Sequence, residues 1–346
     1  MSLEGISHQT NDQIPVNPIS IHQNNWGGGI YNDTPGDLTV TDSTIAHNTA
    51  GAGGQGGRAL FFVIGGTGGD GGFGGGVFNA ATMTVTDSTL NGNLAGGGGD
   101  VGQSDDPQNT GVGGSGGDGG AIFNAGTLTA TNATIAANAA GGGGQASPVS
   151  GTGGGLMQVS RTGATLTSVT IAQNTALRGG SGIQASSGPL TVTSSVIGTN
   201  GVQPCGGTIT NGGFNITTQA AECPVTAVGD PKLVSLQNNG GPTAMMALAP
   251  GSPAIDLVPA GGRFCPSTDQ RGVHRPQGAA CDAGAYELAP PTIGAPSVAA
   301  TGPSTATVSA TIEPNLQDTT VTVPYGAPTR RCRRHRRRSL APATAR

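Results

Sequence analysis

The chain has 346 residues, of which 64 are glycine, 3% aromatic and 10% charged, and its formal net charge is -4. So few rings exclude a broad globular core built on aromatic anchors, and no stretch reaches the roughly 18–20 apolar residues of a membrane-spanning helix. The charge is unevenly placed: residues 1–329 hold seven basic residues against all 19 acidic ones, a poor surface for nucleic acid or an anionic membrane, while the last 17 residues hold eight arginines and no acid.

In chain order, residues 1–25 contain no Lys or Arg and no apolar run of the length a secretory leader needs. Ile21 with Asn24 reads as the tail of a repeat unit that began earlier, so the true beginning is expected to lie upstream. From residue 27 the same phrase returns five times, over 27–48, 74–93, 119–138, 153–174 and 179–200. Each copy has a glycine pair or triplet, an apolar residue (Ile30, Val77, Ile122, Leu156, Ile183), and a stretch in which aliphatics alternate with Thr. It closes with Ile45, Leu90, Ile135, Ile171 or Ile197 three places before Asn48, Asn93, Asn138, Asn174 or Asn200. Such repetition is the mark of a solenoid.

Counting from Ile21, successive Ile/Leu positions are 24, 45, 45, 36 and 26 residues apart, so a unit of about 25 carries optional insertions. These are the glycine tracts within 51–72, 96–117 and 141–155, which read as flexible loops projecting from one edge. Within a unit, Leu38 and Val40, Met83 and Val85, Leu128 and Ala130, and Leu190 and Val192 alternate with Thr. Period two with one buried face is a strand pattern, and two or three short strands per unit fit one turn of a parallel β-solenoid. Parallel crossovers are right-handed almost without exception. The expected fold is therefore an all-β, right-handed parallel β-helix over 1–204, with aliphatics stacked inside and threonines outside. The recurrent Asn is read as a turn residue that tolerates left-handed geometry and ladders its amide from coil to coil.

Two carboxylate pairs in the coils invite a chemical reading. Asp42 and Asp87 share a register and, if adjacent, would stand about 4.8 Å apart, near the spacing of a retaining glycosidase pair. The equivalent places in later copies are Asn132, Ser168 and Ser194, so a ladder of small turn-forming residues explains the column better than catalysis, and no catalytic residue is assigned. Asp70 and Asp118 lie in glycine tracts that look superficially like calcium-binding nonapeptide repeats, but they are 48 residues apart and lack the consecutive-turn spacing. No cofactor is assigned, with calcium the one ion considered.

Beyond the repeats, Cys205, Cys223, Cys265 and Cys281 have separations of 18 and 16 within successive pairs and no CxxC spacing. Pairing of Cys205 with Cys223 and of Cys265 with Cys281, in an exported protein, is the expectation. Two other connectivities, and a metal site including His274, remain open from sequence. Residues 205–289 also concentrate Asp256, Asp269, Arg271, Arg275, Asp282 and Glu287 in a charge-poor chain. They are read as a cover for the open end of the solenoid, with a calcium or ligand site from the same carboxylates as the alternative.

This region carries the densest motifs: Asn239-Gly240-Gly241-Pro242-Thr243, the LxPGSPAID stretch ending at Asp256, Thr268-Asp269-Gln270-Arg271-Gly272, Arg275-Pro276, and CDxGAYE containing Asp282 and Glu287. In these it resembles the choice-of-anchor Q domain, which follows glycine-rich β-helices in bacterial surface proteins. The resemblance covers about 60–85 residues and implies a secreted or surface-displayed protein whose anchor follows the domain. No sorting motif or anchoring helix follows here.

Residues 290–329 read as a linker and the first strands of a small β-sandwich. Residues 330–346, with the run RRCRRHRRR and the leftover Cys332, read as a disordered basic tail or as an artefactual end. The function expected is that of a non-catalytic, secreted or cell-surface protein, adhesin-like or matrix-type, monomeric. Its expected partners are host, neighbour-cell or matrix glycans or proteins, with no nucleic acid. A polysaccharide-active lyase or hydrolase is the alternative.

Overall fold

The computed structural model describes residues 2–4, 27–59, 64–104, 111–147, 149–201, 203–219, 223–302, 305–315 and 319–323. Residues 5–26, which include Ile21 and Asn24, and the basic tail with Cys332 lie outside them. The described elements are all strands, with no helix long and apolar enough to cross a membrane. Two compact units divide at residue 287.

The first unit is a right-handed parallel β-helix whose coils each contribute three strands. Coil one holds β2 (Ile30–Asn32), β3 (Asp37–Thr41) and β4 (Thr44–Ala46). Coil two holds β5 (Val77–Asn79), β6 (Thr82–Thr86) and β7 (Thr89–Asn91). Coil three holds β8 (Ile122–Asn124), β9 (Thr127–Thr131) and β10 (Thr134–Ala136). Coil four holds β11 (Leu156–Gln158), β12 (Ala164–Thr167) and β13 (Thr170–Ala172), and coil five β14 (Ile183–Ala185), β15 (Leu190–Thr193) and β16 (Val196–Gly198). The sheets run on past residue 204 through β17 (Cys205–Gly207), β18 (Thr210–Gly213), β19 (Ile216–Thr217) and β20 (Ala227–Val228). With β1 (Ser2–Glu4) on the edge of β4, sheet A has eight strands, and sheets B and C have six each.

Register follows the sequence phrase. In sheet A, Ile45, Leu90, Ile135, Ile171 and Ile197 are successive partners, all 0% exposed. In sheet B, Ile30, Val77, Ile122, Leu156, Ile183 and Cys205 form the second inner column. In sheet C, Leu38, Met83, Leu128, Ala164 and Leu190 form a third, joined by the column from Val40 to Val192. These residues make one continuous core, so each coil is stabilised by the two it touches.

Buried amides supplement the aliphatic columns. The Nδ2 of Asn48, Asn93, Asn138 and Asn174 each donates to the Oδ1 of the next ladder residue at 2.9–3.0 Å. The same Oδ1 also accepts the backbone N–H of the preceding ladder residue at 2.9–3.1 Å. The ladder is thus as expected, but the left-handed geometry belongs one residue earlier: His47, Gly92, Ala137, Gln173 and Thr199 have φ from 48° to 64°. Asn is kept at the next place because a buried amide can donate to one coil and accept from the other. A second ladder, absent from the sequence reading, links Asn32, Asn79, Asn124 and Gln158 at 2.6–2.7 Å.

The glycine tracts are not loose loops. N–H groups of Ala50, Gly53, Gly56 and Ala59 donate to the carbonyls of Leu94, Gly97, Asp100 and Gln103. Those of Gly66, Gly69 and Gly72 donate back to Gly57, Gly54 and Gly51, and those of Gly96, Gly99 and Gly102 to Gly72, Gly69 and Gly66. A bond at every third residue matches the three-residue turn of polyproline II, whose backbone has no internal partners. Adjacent segments supply them here. Close approach requires glycine: a Cβ on Gly99 would overlap the Gly54 carbonyl oxygen, and one on Gly114 the Gly69 oxygen. Asp70, Asp100 and Asp118 pin this array, their Oδ1 atoms accepting the N–H of Ser115, Gln145 and Thr152 at 2.7 Å each.

Residues 231–287 are not an end cap. They run as a strap along the outer face of sheet A, from Thr89 in coil two to Ser194 in coil five. Met246 packs on Ala136 and Ala172, with Leu233 and Leu236 beside it. The physical reason is the composition of that face: coils two to five turn only short side chains outward, Thr89 and Asn91, Thr134 and Ala136, Thr170 and Ala172, and Val196 and Gly198, so a polypeptide can lie close against it.

The second unit contains an antiparallel pair, β21 (Thr292–Ile293) with β24 (Ile312–Glu313), and a hairpin of β22 (Ser297–Gly302) with β23 (Thr305–Ser309).

Candidate binding face

The three outer faces of the β-helix differ in what covers them. On sheet A, outward Thr89, Thr134 and Thr170 are 0–1% exposed beneath the strap. Gln270 joins them: its Nε2 donates to the Oγ1 of Thr89 and Thr243 at 2.8 Å, and its Oε1 accepts from Thr134 at 2.7 Å. Ala285 N–H donates to Thr170 Oγ1 at 3.0 Å, Asn132 Nδ2 to the Thr268 carbonyl at 2.9 Å, and Thr243 Oγ1 to the Asp87 carbonyl at 3.3 Å.

The charged motif residues hold the strap in shape. Asp269, fully buried, accepts N–H groups of Arg271, Val273 and Glu287 and a two-pronged contact from Arg271 at 2.9 and 2.7 Å. The Arg271 guanidinium lies 3.8 Å from the Tyr286 ring centroid. Arg275 donates to the carbonyls of Asp282 and Gly284 at 2.6 and 2.7 Å and stands 3.3 Å from Glu287. Burial pushes the Arg275 guanidinium below, and the Glu287 carboxyl above, its ordinary range, although each is the other's counter-charge. Glu287 accepts N–H bonds from Gln277 and Asp282 at 2.8 and 2.9 Å. Asp282 accepts from Asp256 N–H at 2.9 Å, and Asp256 from Ala280 N–H at 2.8 Å. Asn239 donates to the Met245 carbonyl at 2.8 Å. Positive φ explains Gly240 (90°), Gly241 (81°) and Gly272 (83°), while Pro242 and Pro276 lie exposed. Most of the motif's polar atoms are spent on one another and on sheet A, the buried Arg275 Nε having no hydrogen-bond partner among the described residues. Disulfides Cys205–Cys223 and Cys265–Cys281 are formed, as suits an oxidising environment of the extracellular kind.

Sheet B carries a ring ladder outward: Tyr31 on Phe78 at 5.0 Å and Phe78 on Phe123 at 5.1 Å, with Phe73 stacked on Phe123 at 4.8 Å. Phe78 and Phe123 are only 6% and 9% exposed.

Sheet C is different. Its outward side chains form two long ranks in register, Thr39, Thr84, Thr129, Thr165, Thr191 and Thr210, and beside them Thr41, Thr86, Thr131, Thr167 and Thr193, with a shorter exposed rank of Asp37, Thr82 and Thr127 in the first three coils. In the first rank Thr39, Thr129, Thr165 and Thr210 are exposed and Thr84 and Thr191 half-buried; the second goes from exposed Thr41 to buried Thr193. The inward columns beneath, from Leu38 to Leu190 and from Val40 to Val192, are at most 6% exposed, so the ranks stand on a packed floor.

Asp42 and Asp87 occupy the turn that bounds this face. With Asn132, Ser168 and Ser194 they form a column with φ from 49° to 52°, a conformation suited to Asn and Asp. The Asp87 carboxyl is held above its ordinary value of 3.8, first by burial and then by Asp42 and Asp269, offset partly by Asn132 and Arg275. Its Oδ1 is buried without a hydrogen-bond partner among the described residues. A carboxyl with a raised folded-state value loses stability as pH rises through that range. Asp87→Asn is therefore expected to raise the melting temperature at pH 7 and to change nothing below pH 3.8, as measured by thermal melts across pH.

Among the described residues no three His, Cys, Asp or Glu side chains converge as a metal site. No family model matches the chain, and no curated protein or solved structure is detectably similar to it.

Proposed function

We propose that the protein is a non-catalytic, secreted or cell-surface scaffold, adhesin-like or matrix-type, that presents sheet C outward. One observation carries this reading: sheet A lies under the strap from coil two to coil five and the sheet B rings are packed, while every threonine of the first sheet C rank, from Thr39 to Thr210, is exposed or half-buried. A flat, neutral face repeated coil after coil suits contact with an extended surface more than capture of a small molecule, which favours a concave pocket. The resemblance of 205–289 to a choice-of-anchor Q domain supports the same placement, as do two disulfides. Its motif residues then act as the fastening of the strap. The partner proposed is an extended, repetitive surface outside the cell, of which glycan and protein surfaces are two forms, with the chain acting as a monomer.

The turn carboxylates give the rival reading, a polysaccharide-active enzyme using Asp42 and Asp87. Turnover of polyuronates or glycans that disappears in Asp42→Ala and Asp87→Ala would establish it and displace the scaffold. For the scaffold, cells displaying residues 1–289 are expected to attach to coated surfaces or other cells, and Thr84→Lys with Thr129→Lys to remove that attachment without changing display. Attachment that survives both substitutions would reject sheet C as the binding face.

A further inference from the structure

Resting on the reading of sheet C as the binding face, we infer that its ligand is an ordered water lattice, and that the protein binds ice. The two ranks form a rectangular net. Along the solenoid axis the repeat is the strand spacing, about 4.8 Å, and along each strand it is two residues, about 6.7 Å. At every node stands the same side chain, with one hydroxyl and one methyl, from Thr39 to Thr210 in one rank and from Thr41 to Thr193 in the other. Threonine is stiff at χ1 because it is β-branched, and parallel pairing of five coils over a closed core fixes the backbone beneath it. The net is thus rigid before any ligand arrives, which lowers the ordering cost of binding.

A ligand complementary to such a net is itself a net of small, identical, neutral units. Oxygen positions on a prism face of hexagonal ice repeat at nearly these two lengths. Hydroxyls can take the place of lattice waters, while methyls fill the spaces between them and lose contact with liquid water. Other ligand classes fit less well. An anionic polymer calls for Lys or Arg, and the charged residues on or bounding this face are acidic: Asp37, which shares an exposed outer rank with Thr82 and Thr127, and Asp42 and Asp87 in the bounding turn. A protein partner is usually held by aromatic and Arg anchors. A sugar chain is commonly gripped by rings, but the ring ladder lies on sheet B with Phe78 and Phe123 packed away.

Ice growth in solutions of the purified full chain tests this, by thermal hysteresis and by inhibition of recrystallisation. The wild type is expected to shape crystals and to show hysteresis that rises with concentration. Thr84→Lys and Thr129→Lys, in the central coils, are expected to return it to the buffer baseline. Leu177→Lys, at an exposed site off the net, keeps the measurement interpretable, since it is expected to melt like the wild type and to retain hysteresis, and the two rank variants are expected to keep the wild-type β-sheet spectrum. Absence of hysteresis in a wild-type protein with the expected β-sheet spectrum overturns the inference, as does hysteresis unchanged in both lysine variants. Sedimentation with microcrystalline cellulose or chitin, lost in the same variants and without hysteresis, would overturn ice as the ligand while leaving sheet C as the binding face.

Discussion

Arg275→Met is expected to lower the unfolding free energy by about 3–5 kcal/mol and to release the strap from sheet A. Arg275 is 9% exposed and spans two carbonyls and Glu287. Removing its charge leaves the Glu287 carboxylate buried without its cation, and leaves the Asp282 and Gly284 carbonyls without their donor. Glu287 organises Gln277 and Asp282, so the loss propagates through the 277–287 segment. Arg275→Lys is expected to recover only part of the stability, since one ammonium does not reproduce the forked donation. Denaturant titration measures the loss, and limited proteolysis should cut first within 229–287. An unchanged midpoint would mean that the motif does not fasten the strap.

Asn138→Leu is expected to be comparably damaging, on the order of 3–5 kcal/mol from several buried groups left unpaired together. The Asn138 side chain accepts from both the N–H and the Nδ2 of Asn93, and donates to Asn174 Oδ1 and to the carbonyls of Leu90 and Ala136. Leucine has a similar volume but none of these bonds, so the change isolates the polar contribution from packing. The equivalent change at Asn200, which is half-buried at the end of the ladder, should cost less. Urea melts of the two variants compare them directly.

Much of the coil was legible because it repeats. The column from Ile45 to Ile197, the inward aliphatics of sheet C and the Asn ladder recur at fixed offsets, and any residue recurring so must stack on its counterpart in a solenoid. The second ladder was equally present, as Asn32, Asn79, Asn124 and Gln158 follow an apolar residue and one more in each copy, but a polar residue beside a ring reads as outward. The glycine tracts misled because composition suggests flexibility, whereas their order lies in a period of three visible at Gly53, Gly56, Gly66, Gly69 and Gly72. The strap could not be placed from sequence. Thr89, Thr134 and Thr170 look no different from Thr84, Thr129 and Thr165, yet the first set is buried and the second is exposed or half-buried. Which outward threonines are covered is decided by a segment more than a hundred residues away, through Gln270 and Ala285. The disulfides were readable because each closes a short loop, with sequence separations of 18 and 16.

The claim on which the account depends is that copies of the repeat stack in parallel register and leave the threonine ranks open. Cysteine pairs introduced on sheet C, in a Cys332→Ser background, test both parts together. Thr84→Cys with Thr129→Cys places neighbouring rungs about 4.8 Å apart, within disulfide range, and should cross-link readily under mild oxidation while each single variant reacts with a bulky maleimide. Thr39→Cys with Thr129→Cys spans two rungs and should form no intramolecular disulfide. Cross-linking of the second pair in preference to the first, or protection of the single cysteines from maleimide, would contradict the account.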